Sequence, residues 1–326
     1  MKKIIEVKNL SKKFKVPIKK QGFWNGLKNF FHQEYREIVA VDNISLVVGE
    51  WEKIAFLGPN GAGKSTTIKM LTWILYYTSG EIEVCGLDPS KDRKKLVYNI
   101  WAIFGQTSRL WYHLTAIDTF KIMAMMFDVP KEIFEKRINS LVDRFDAREI
   151  INTPIRKLSL WQRIKCEVIT SLINSPKILF LDEPTIWLDI IAKQNLRDTI
   201  NEINKTENTT IFLTSHDLWD VEKICDRIVI INYGKILFDG SLVQFKKDYI
   251  KHKIFKIKFT QNTEFKKLDF METIKEEDDY IEFKIPNSKE YSQKTFELLN
   301  SKYDIEDIII ENPNIEDVIK QFYKKR

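Results

Sequence analysis

Apolar runs separated by amphipathic stretches dominate the first 240 residues of the chain. Three mostly apolar runs predict buried strands, because a strand covered on both faces has no polar side. These runs are residues 54–57, 178–181 and 209–213. Stretches with the helical spacing of apolar residues cover 65–72, 107–157 and 190–205. Strands that alternate with helices in this way predict a doubly wound α/β core.

One helix start can be placed within the second of these stretches. Thr115 is suited to cap a helix, and Asp118 follows at the third helical position. Phe120, Met123 and Phe127 then recur at helical spacing, and we expect this stripe to be core rather than a ligand site.

The pattern changes after about residue 240. Apolar residues at 229–231 and 235–237 predict a hairpin, and further strands at 254–259, 280–285 and 305–310 surround a helix at 289–301. A last helix is predicted from Asn314 to Tyr323. We therefore expect two domains, residues 1–244 and a small α+β domain at 245–326, with a helical subdomain of the first at about 107–157.

Composition limits the location and the partners of the chain. No apolar run approaches the ~18 residues of a membrane span, and the first residues lack a signal core, so we expect a cytoplasmic protein. Cys85, Cys166 and Cys225 are scattered, which is typical of a reducing compartment. The net charge of +6 comes from 52 basic and 46 acidic residues and argues only weakly for a polyanionic partner. The basic, aromatic segment 16–37 is interpreted as a surface loop with an amphipathic helix, and no nucleic acid is expected as a partner.

The loop after the first apolar run has the pattern G-x-x-x-x-G-K-[ST]. Its residues are Gly58, Pro59, Asn60, Gly61, Ala62, Gly63, Lys64, Ser65 and Thr66. A strand, this loop and a helix form a cradle whose backbone N–H groups bind phosphates. Lys64 is expected to neutralise the β- and γ-phosphates and Ser65 to ligate Mg²⁺. The sequence therefore predicts a nucleotide site.

Two carboxylates and a histidine follow the other two apolar runs. Asp182 at the tip of its strand can hold Mg²⁺ through water, and Glu183 can activate the attacking water. His216 comes directly after the run that ends in Leu213-Thr214-Ser215. Because the carboxyl ends of parallel strands meet at one edge of a sheet, these groups are candidates for the same site.

The ordered set of motifs resembles the ATP-binding subunit of ABC transporters over residues 1–240. That set is the phosphate loop, Gln106, Leu158-Ser159, Asp182-Glu183, Asp189 and His216. Phe104-Gly105-Gln106 with Leu110-Trp111 resembles the exporter branch that pairs with separate permeases, of the drug, antibiotic or viologen type. The resemblance implies an ABC-type P-loop ATPase that uses ATP and Mg²⁺ on the inner face of the cell membrane.

The resemblance also implies roles for single residues. Glu183 would be the general base, His216 would hydrogen-bond the γ-phosphate, and Gln106 would contact Mg²⁺ and the attacking water. Ser159 and Gln162 would cap the ATP bound to a second copy in a head-to-tail dimer, with Asp189 at the interface. Phe14 would stack on adenine, with Tyr35 as a rival. Alternatives are a catalytically impaired regulatory subunit or a non-transport ABC ATPase, although the latter usually carries coiled-coil or zinc insertions.

Tryptophan stands at several positions where such subunits carry glycine. Trp161 and Trp187 interrupt the signature and Asp189 loops, and Trp73 follows a helix where a left-handed residue is favoured. Further cases are Trp51, Trp101 and Trp219. Only 11 of 326 residues are glycine, against a usual share of about 7%. We hypothesise that several of these tryptophans are glycines mistranslated from a UGA-recoding, AT-rich genome; the alternative is ordinary divergence.

Overall fold

The computed structural model describes residues 2–18, 35–105, 110–186, 188–261 and 263–313, together with 315, 318 and 319. The chain divides into two compact units, Met1–Asp239 and Gly240–Arg326. The expected domain boundary at residue 244 lies within a helix, Leu242–Tyr249, that begins the second unit.

The strands in chain order up to residue 241 are β1 (Lys3–Pro17), β2 (Tyr35–Gly49), β3 (Lys53–Leu57), β4 (Ser79–Val84), β5 (Ile100–Phe104), β6 (Ile178–Asp182), β7 (Thr210–Ser215), β8 (Arg227–Asn232) and β9 (Lys235–Ser241). The helices of this part are α1 (Lys64–Leu71), α2 (Arg93–Leu96), α3 (Ala116–Met126), α4 (Lys131–Arg144), α5 (Leu160–Leu172), α6 (Ile190–Glu207) and α7 (Leu218–Ile224), with a 3₁₀ turn at Ile155–Lys157.

A six-stranded sheet forms the centre of the first unit, in the order β5-β6-β7-β3-β8-β9. Its first five strands pair in parallel, and the rings of Phe56, Phe180 and Phe212 pack together in the core. The predicted α/β core is confirmed. Because Leu57 lies opposite Ser215 and Asp182 opposite Thr214, the carboxyl ends of β3, β6 and β7 meet at one edge.

A second, antiparallel sheet has the order β2-β1-β4 and shares its apolar residues with the core of the central sheet. Ile5 on β1 and Val48 on β2 lie opposite each other, and both are fully buried. The two sheets thereby enclose helix α1, whose Ile68 and Leu71 belong to the same apolar cluster.

In the described part of the stretch 107–157, helices cover Ala116–Met126 and Lys131–Arg144, so the prediction of a mostly helical region is confirmed. The Thr115 hydroxyl accepts the backbone N–H of Asp118 at 3.2 Å, which confirms the predicted cap. Helix α4 is attached to the end of α6 through one carboxylate, Glu207. Its oxygens accept from Arg137 and Arg144, each at 2.8 Å.

Two turns of the first unit hold tryptophan in the left-handed backbone region. Trp73 (φ 55°) follows α1, where the N–H groups of Trp73 and Ile74 bond to the carbonyls of Met70 and Lys69 at 3.1 and 2.8 Å. This pair of bonds is the Schellman motif, whose left-handed residue is usually glycine. Trp51 (φ 66°) is the third residue of a turn closed by a bond from Glu52 N–H to the Gly49 carbonyl. A positive φ at that position of a turn again favours glycine.

The second unit contains α8 (Leu242–Tyr249), β10 (His252–Phe259), β11 (Glu272–Glu276), β12 (Tyr280–Pro286), α9 (Lys289–Lys302) and β13 (Ile305–Glu311). Its antiparallel sheet has the order β11-β12-β10-β13. Phe255, Phe283 and Leu299 of α9 are buried in its own apolar cluster.

The α+β character and the strands at 254–259, 280–285 and 305–310 are confirmed. Helix α8 and strand β11 were not predicted. Strand β11 is largely exposed and charged, and α8 buries only Leu242 and Phe245, so neither has a strong apolar pattern. The predicted helix 314–323 falls almost entirely outside the described residues. No helix in the described part of the chain is long and apolar enough to cross a membrane.

Candidate functional site

The phosphate-binding loop joins β3 to α1, and glycine is required at its end. Gly63 has a φ of 109°, and a Cβ atom there would lie 2.5 Å from the Ala40 carbonyl oxygen. Helix α1 begins at the next residue, Lys64, so the loop ends on a helix N-terminus that is free to bind an anion. Only glycine allows this combination of close packing and left-handed backbone.

Lys64 is buried at the base of this loop. Its Nζ atom lies 2.6 Å from the Gly58 carbonyl oxygen and 3.3 Å from that of Pro59. The same atom lies 3.2 Å from Oε1 of Glu183. The ammonium group therefore joins the loop to the strand end of β6.

Asp182 is the last residue of β6 and is held by two hydroxyl groups. The side chains of Ser65 and Thr214 donate to its Oδ1 at 2.8 and 2.6 Å. A carboxylate and a hydroxyl placed together supply the oxygen ligands that Mg²⁺ prefers, so Asp182 and Ser65 fit this ion. Sequence reasoning missed Thr214, because its contact depends on the register between β6 and β7.

Glu183 lies next to Asp182 in the left-handed backbone region, with a φ of 53°. Its N–H donates to the Thr214 carbonyl at 3.1 Å. Its Oε2 lies 2.7 Å from Nδ1 of His216, while its Oε1 contacts Lys64. A left-handed glutamate is uncommon, and such strain is concentrated at functional sites.

These groups surround a cavity of about 340 Å³. It is lined by residues 59–66 of the phosphate loop together with Glu183, Ile186 and His216. The structure thus brings together the phosphate loop, Glu183 and His216, with Asp182 bonded directly to Ser65.

Of the remaining predicted residues, those that the structure describes do not line this cavity. Ser159 caps α5, where its hydroxyl accepts the N–H of Gln162 and the Gln162 side chain accepts the N–H of Ser159. Asp189 caps α6 by accepting the N–H of Ala192 at 2.8 Å. Trp161 lies in the first turn of α5, with its ring 5.9 Å from the Lys165 ammonium. Each of these residues marks a helix start at the surface of the first unit.

Two aromatic candidates for the base of a nucleotide lie on the β1–β2 hairpin. Phe14 is half-buried opposite Ile38, and the Lys12 ammonium lies 4.9 Å from the centre of its ring. Tyr35 is exposed at the start of β2 and lies opposite Pro17. Gln106 and Trp187 lie outside the described residues.

The family described as ABC transporter matches residues 41–186. The chain is 30% identical over 212 residues to the ABC transporter ATP-binding protein NatA of Bacillus subtilis, which covers 65% of this chain and 86% of that protein. It is 35% identical over 213 residues to the lantibiotic transport ATP-binding protein SrtF of Streptococcus pyogenes, covering 64% and 89%. A solved structure of an ATP-binding subunit of an ABC transporter has the same fold, with a TM-score of 0.62, 24% identity and coverage of 76% and 93%.

Proposed function

Since this chain belongs to the family of ABC transporter ATP-binding proteins, we propose that it energises an export system by binding and hydrolysing ATP at the cavity described above. Such proteins are ATPases, and ATP is their nucleotide.

One observation carries the assignment of residues. Lys64 and His216, the two groups expected at the phosphates, both contact the same carboxylate, Glu183. A γ-phosphate placed in the cavity would take over both contacts, because a doubly charged phosphate attracts the two groups more strongly than one carboxylate does. Glu183 would then be free to accept a proton from water.

The hydrolysis step then follows from these positions. The Glu183 carboxylate takes a proton from a water whose oxygen forms a bond to the γ-phosphorus, and the bond from phosphorus to the β–γ bridging oxygen breaks. Lys64 balances the charge that develops on the β- and γ-oxygens, and His216 holds a γ-oxygen. Ser65 and Asp182 would hold Mg²⁺, which supplies further charge neutralisation when bound.

A second copy and membrane permeases are the proposed partners. Ser159 and Gln162 lie at the N-terminus of α5, a place suited to bind the phosphates of ATP held by the other copy. Asp189 would lie at the same interface, and Phe14 would stack on adenine. The helical region offers exposed apolar side chains on Met125, Met126 and Ile133, which support it as the permease-facing surface on the inner face of the membrane.

The test is the Glu183→Gln variant. It should keep ATP affinity, lose hydrolysis by roughly 10²–10⁴-fold, and accumulate an ATP-bound dimer, because the base is removed while Lys64 and the Mg²⁺ ligands remain. Turnover, nucleotide binding and mass in solution report the three effects. Glu135→Gln, on an exposed part of α4, is the matched control. Near-normal turnover in Glu183→Gln would overturn the assignment of the base.

A further inference from the structure

Two helices that begin beside functional residues are joined by a pair of ion bridges. Helix α6 begins directly after Asp189, and α7 begins directly after His216-Asp217. Lys193 of α6 lies 2.7 Å from Asp217, and Arg197, one turn further along, lies 2.6 Å from Asp220 of α7. These two bridges form the α6–α7 ladder.

The inner bridge of the ladder is fully enclosed. Arg197 and Asp220 are 5% and 0% exposed, and the Arg197 Nε atom also donates to Asp220 Oδ1 at 2.7 Å. Desolvation makes a buried ion pair a poor source of stability compared with apolar residues of the same size, and fixing geometry is its best-attested use. The pair therefore indicates a need to hold α7 at one position on α6.

The outer bridge acts on the residue next to His216. Asp217 N–H donates to the Ser215 hydroxyl at 2.9 Å, and Asp217 Oδ1 accepts the N–H of Trp219 at 3.0 Å. Burial raises the pKa of the Asp217 carboxyl, but its hydrogen bond to Lys193 and the Lys193 charge more than offset this, so that the pKa lies below its usual range. Lys193 thus binds an ionised side chain that caps α7, while the backbone of the same residue, Asp217, is bonded to Ser215 on the other side of His216.

The same lysine stands close to the interface residue. The Lys193 N–H donates to the Asp189 carbonyl at 2.9 Å, in the first turn of α6. Asp189 and His216 are therefore connected through one rigid helix turn and one ion bridge.

On the basis of the proposed function, we propose that Lys193 and Arg197 are positioning residues that make His216 and Asp189 move as one body. When His216 moves to the γ-phosphate, the ladder carries the start of α6 with it, so Asp189 reaches its place at the dimer interface. Nucleotide binding in one subunit is thereby passed to the surface that meets the second copy.

The test uses Lys193→Met in the full chain, in both the wild-type and the Glu183→Gln background. Methionine keeps the length of the side chain and removes its charge. Lys205→Met, at an exposed position three turns further along α6, is the matched control, and Lys193→Arg should restore the bridge. ATP affinity is measured on protein dilute enough to stay monomeric. Dimerisation is measured in the Glu183→Gln background, as the ATP concentration at which half of the protein is dimeric.

We expect Lys193→Met to raise that ATP concentration and to lower kcat, each on the order of ten-fold, because small displacements of catalytic groups have large effects on rate. The ATP affinity of dilute Lys193→Met should equal that of its parent. The control Lys205→Met should leave ATP affinity, dimerisation, kcat and the melting profile unchanged. If Lys193→Met dimerises as its parent does, or if its ATP affinity falls as much as its dimerisation, the role of the ladder is overturned while the proposed function stands. A Glu183→Gln parent that never dimerises with ATP would overturn the proposed function as well.

Discussion

Replacing Trp51 by glycine should stabilise the fold relative to replacing it by alanine. Its φ of 66° places the residue in a region that costs any L residue except glycine roughly 1–2 kcal/mol. Its backbone is fixed from both sides, since its N–H donates to Thr210 Oγ1 at 2.8 Å and its carbonyl accepts from Asn204 at 2.9 Å. The chain therefore cannot relax to a negative φ without breaking these bonds.

The comparison of glycine with alanine isolates the backbone effect. Both variants lose the same indole, which is 59% exposed, so its lost packing cancels between them. Glycine removes the backbone strain of roughly 1–2 kcal/mol that alanine keeps. It also increases the conformational entropy of the unfolded chain, which lowers stability by about 0.4–1 kcal/mol. A net advantage of about 1 kcal/mol for Trp51→Gly over Trp51→Ala follows, which is a melting temperature about 2–4 °C higher for a domain of this size.

Trp219 supplies a matched control of opposite sign. It is 58% exposed and lies in the first turn of helix α7, where helical backbone favours alanine over glycine by up to about 1 kcal/mol. At position 51 the glycine variant should therefore have the higher melting temperature, and at position 219 the alanine variant should. If alanine equals or exceeds glycine at 51, the reasoning from backbone strain is refuted. Independently of these melts, mass spectrometry of the protein from its own organism tests the recoding hypothesis directly, with glycine expected at 51 and 73.

Two further predictions concern charged groups. Lys64→Ala should weaken ATP binding about 10- to 100-fold, because it removes a charged partner of the phosphates. Lys69→Ala, at an exposed position of α1, should leave ATP binding unchanged. Equal ATP affinities of the two variants in a titration would contradict the phosphate-loop assignment. Burial raises the pKa of Glu207, but hydrogen bonds and charges from Arg144 and Arg137 together lower it below its usual value. The ion pairs of Glu207 therefore stabilise the fold above a pH of about 4.3, and this stabilisation is lost as the pH falls through the pKa of the folded state. Glu207→Gln should flatten that part of the pH–stability curve, and an unchanged acid limb in denaturant melts would count against the ion pairs.

The centre of the site could be predicted because each of its residues follows a strong local pattern. Gly63, Lys64 and Ser65 form a spaced motif between a strand and a helix, and Asp182 and Glu183 end an apolar run. Once the strands are parallel, their ends must meet, so closeness of these residues follows from topology alone.

The contacts that depend on register could not be predicted in this way. Thr214 resembles any β-branched strand residue, and its bond to Asp182 exists only because β6 and β7 pair Asp182 with Thr214. Likewise, the second half of α6, strand β7 and two loops separate Arg197 from Asp220 in sequence, and nothing local marks them as partners. In the second unit, the exposed edge strand β11 has no apolar run that separates it from a loop.

The attachment of α4 to α6 has a consequence for how such a protein can diversify. Glu207 holds Arg137 and Arg144 from the inner side, while Met125, Met126 and Ile133 point outward. Substitutions on the outer side leave the anchoring carboxylate and its two arginines intact. Point mutations can therefore change the chemistry of this exposed face while the ion pairs that attach α4 to α6 stay in place.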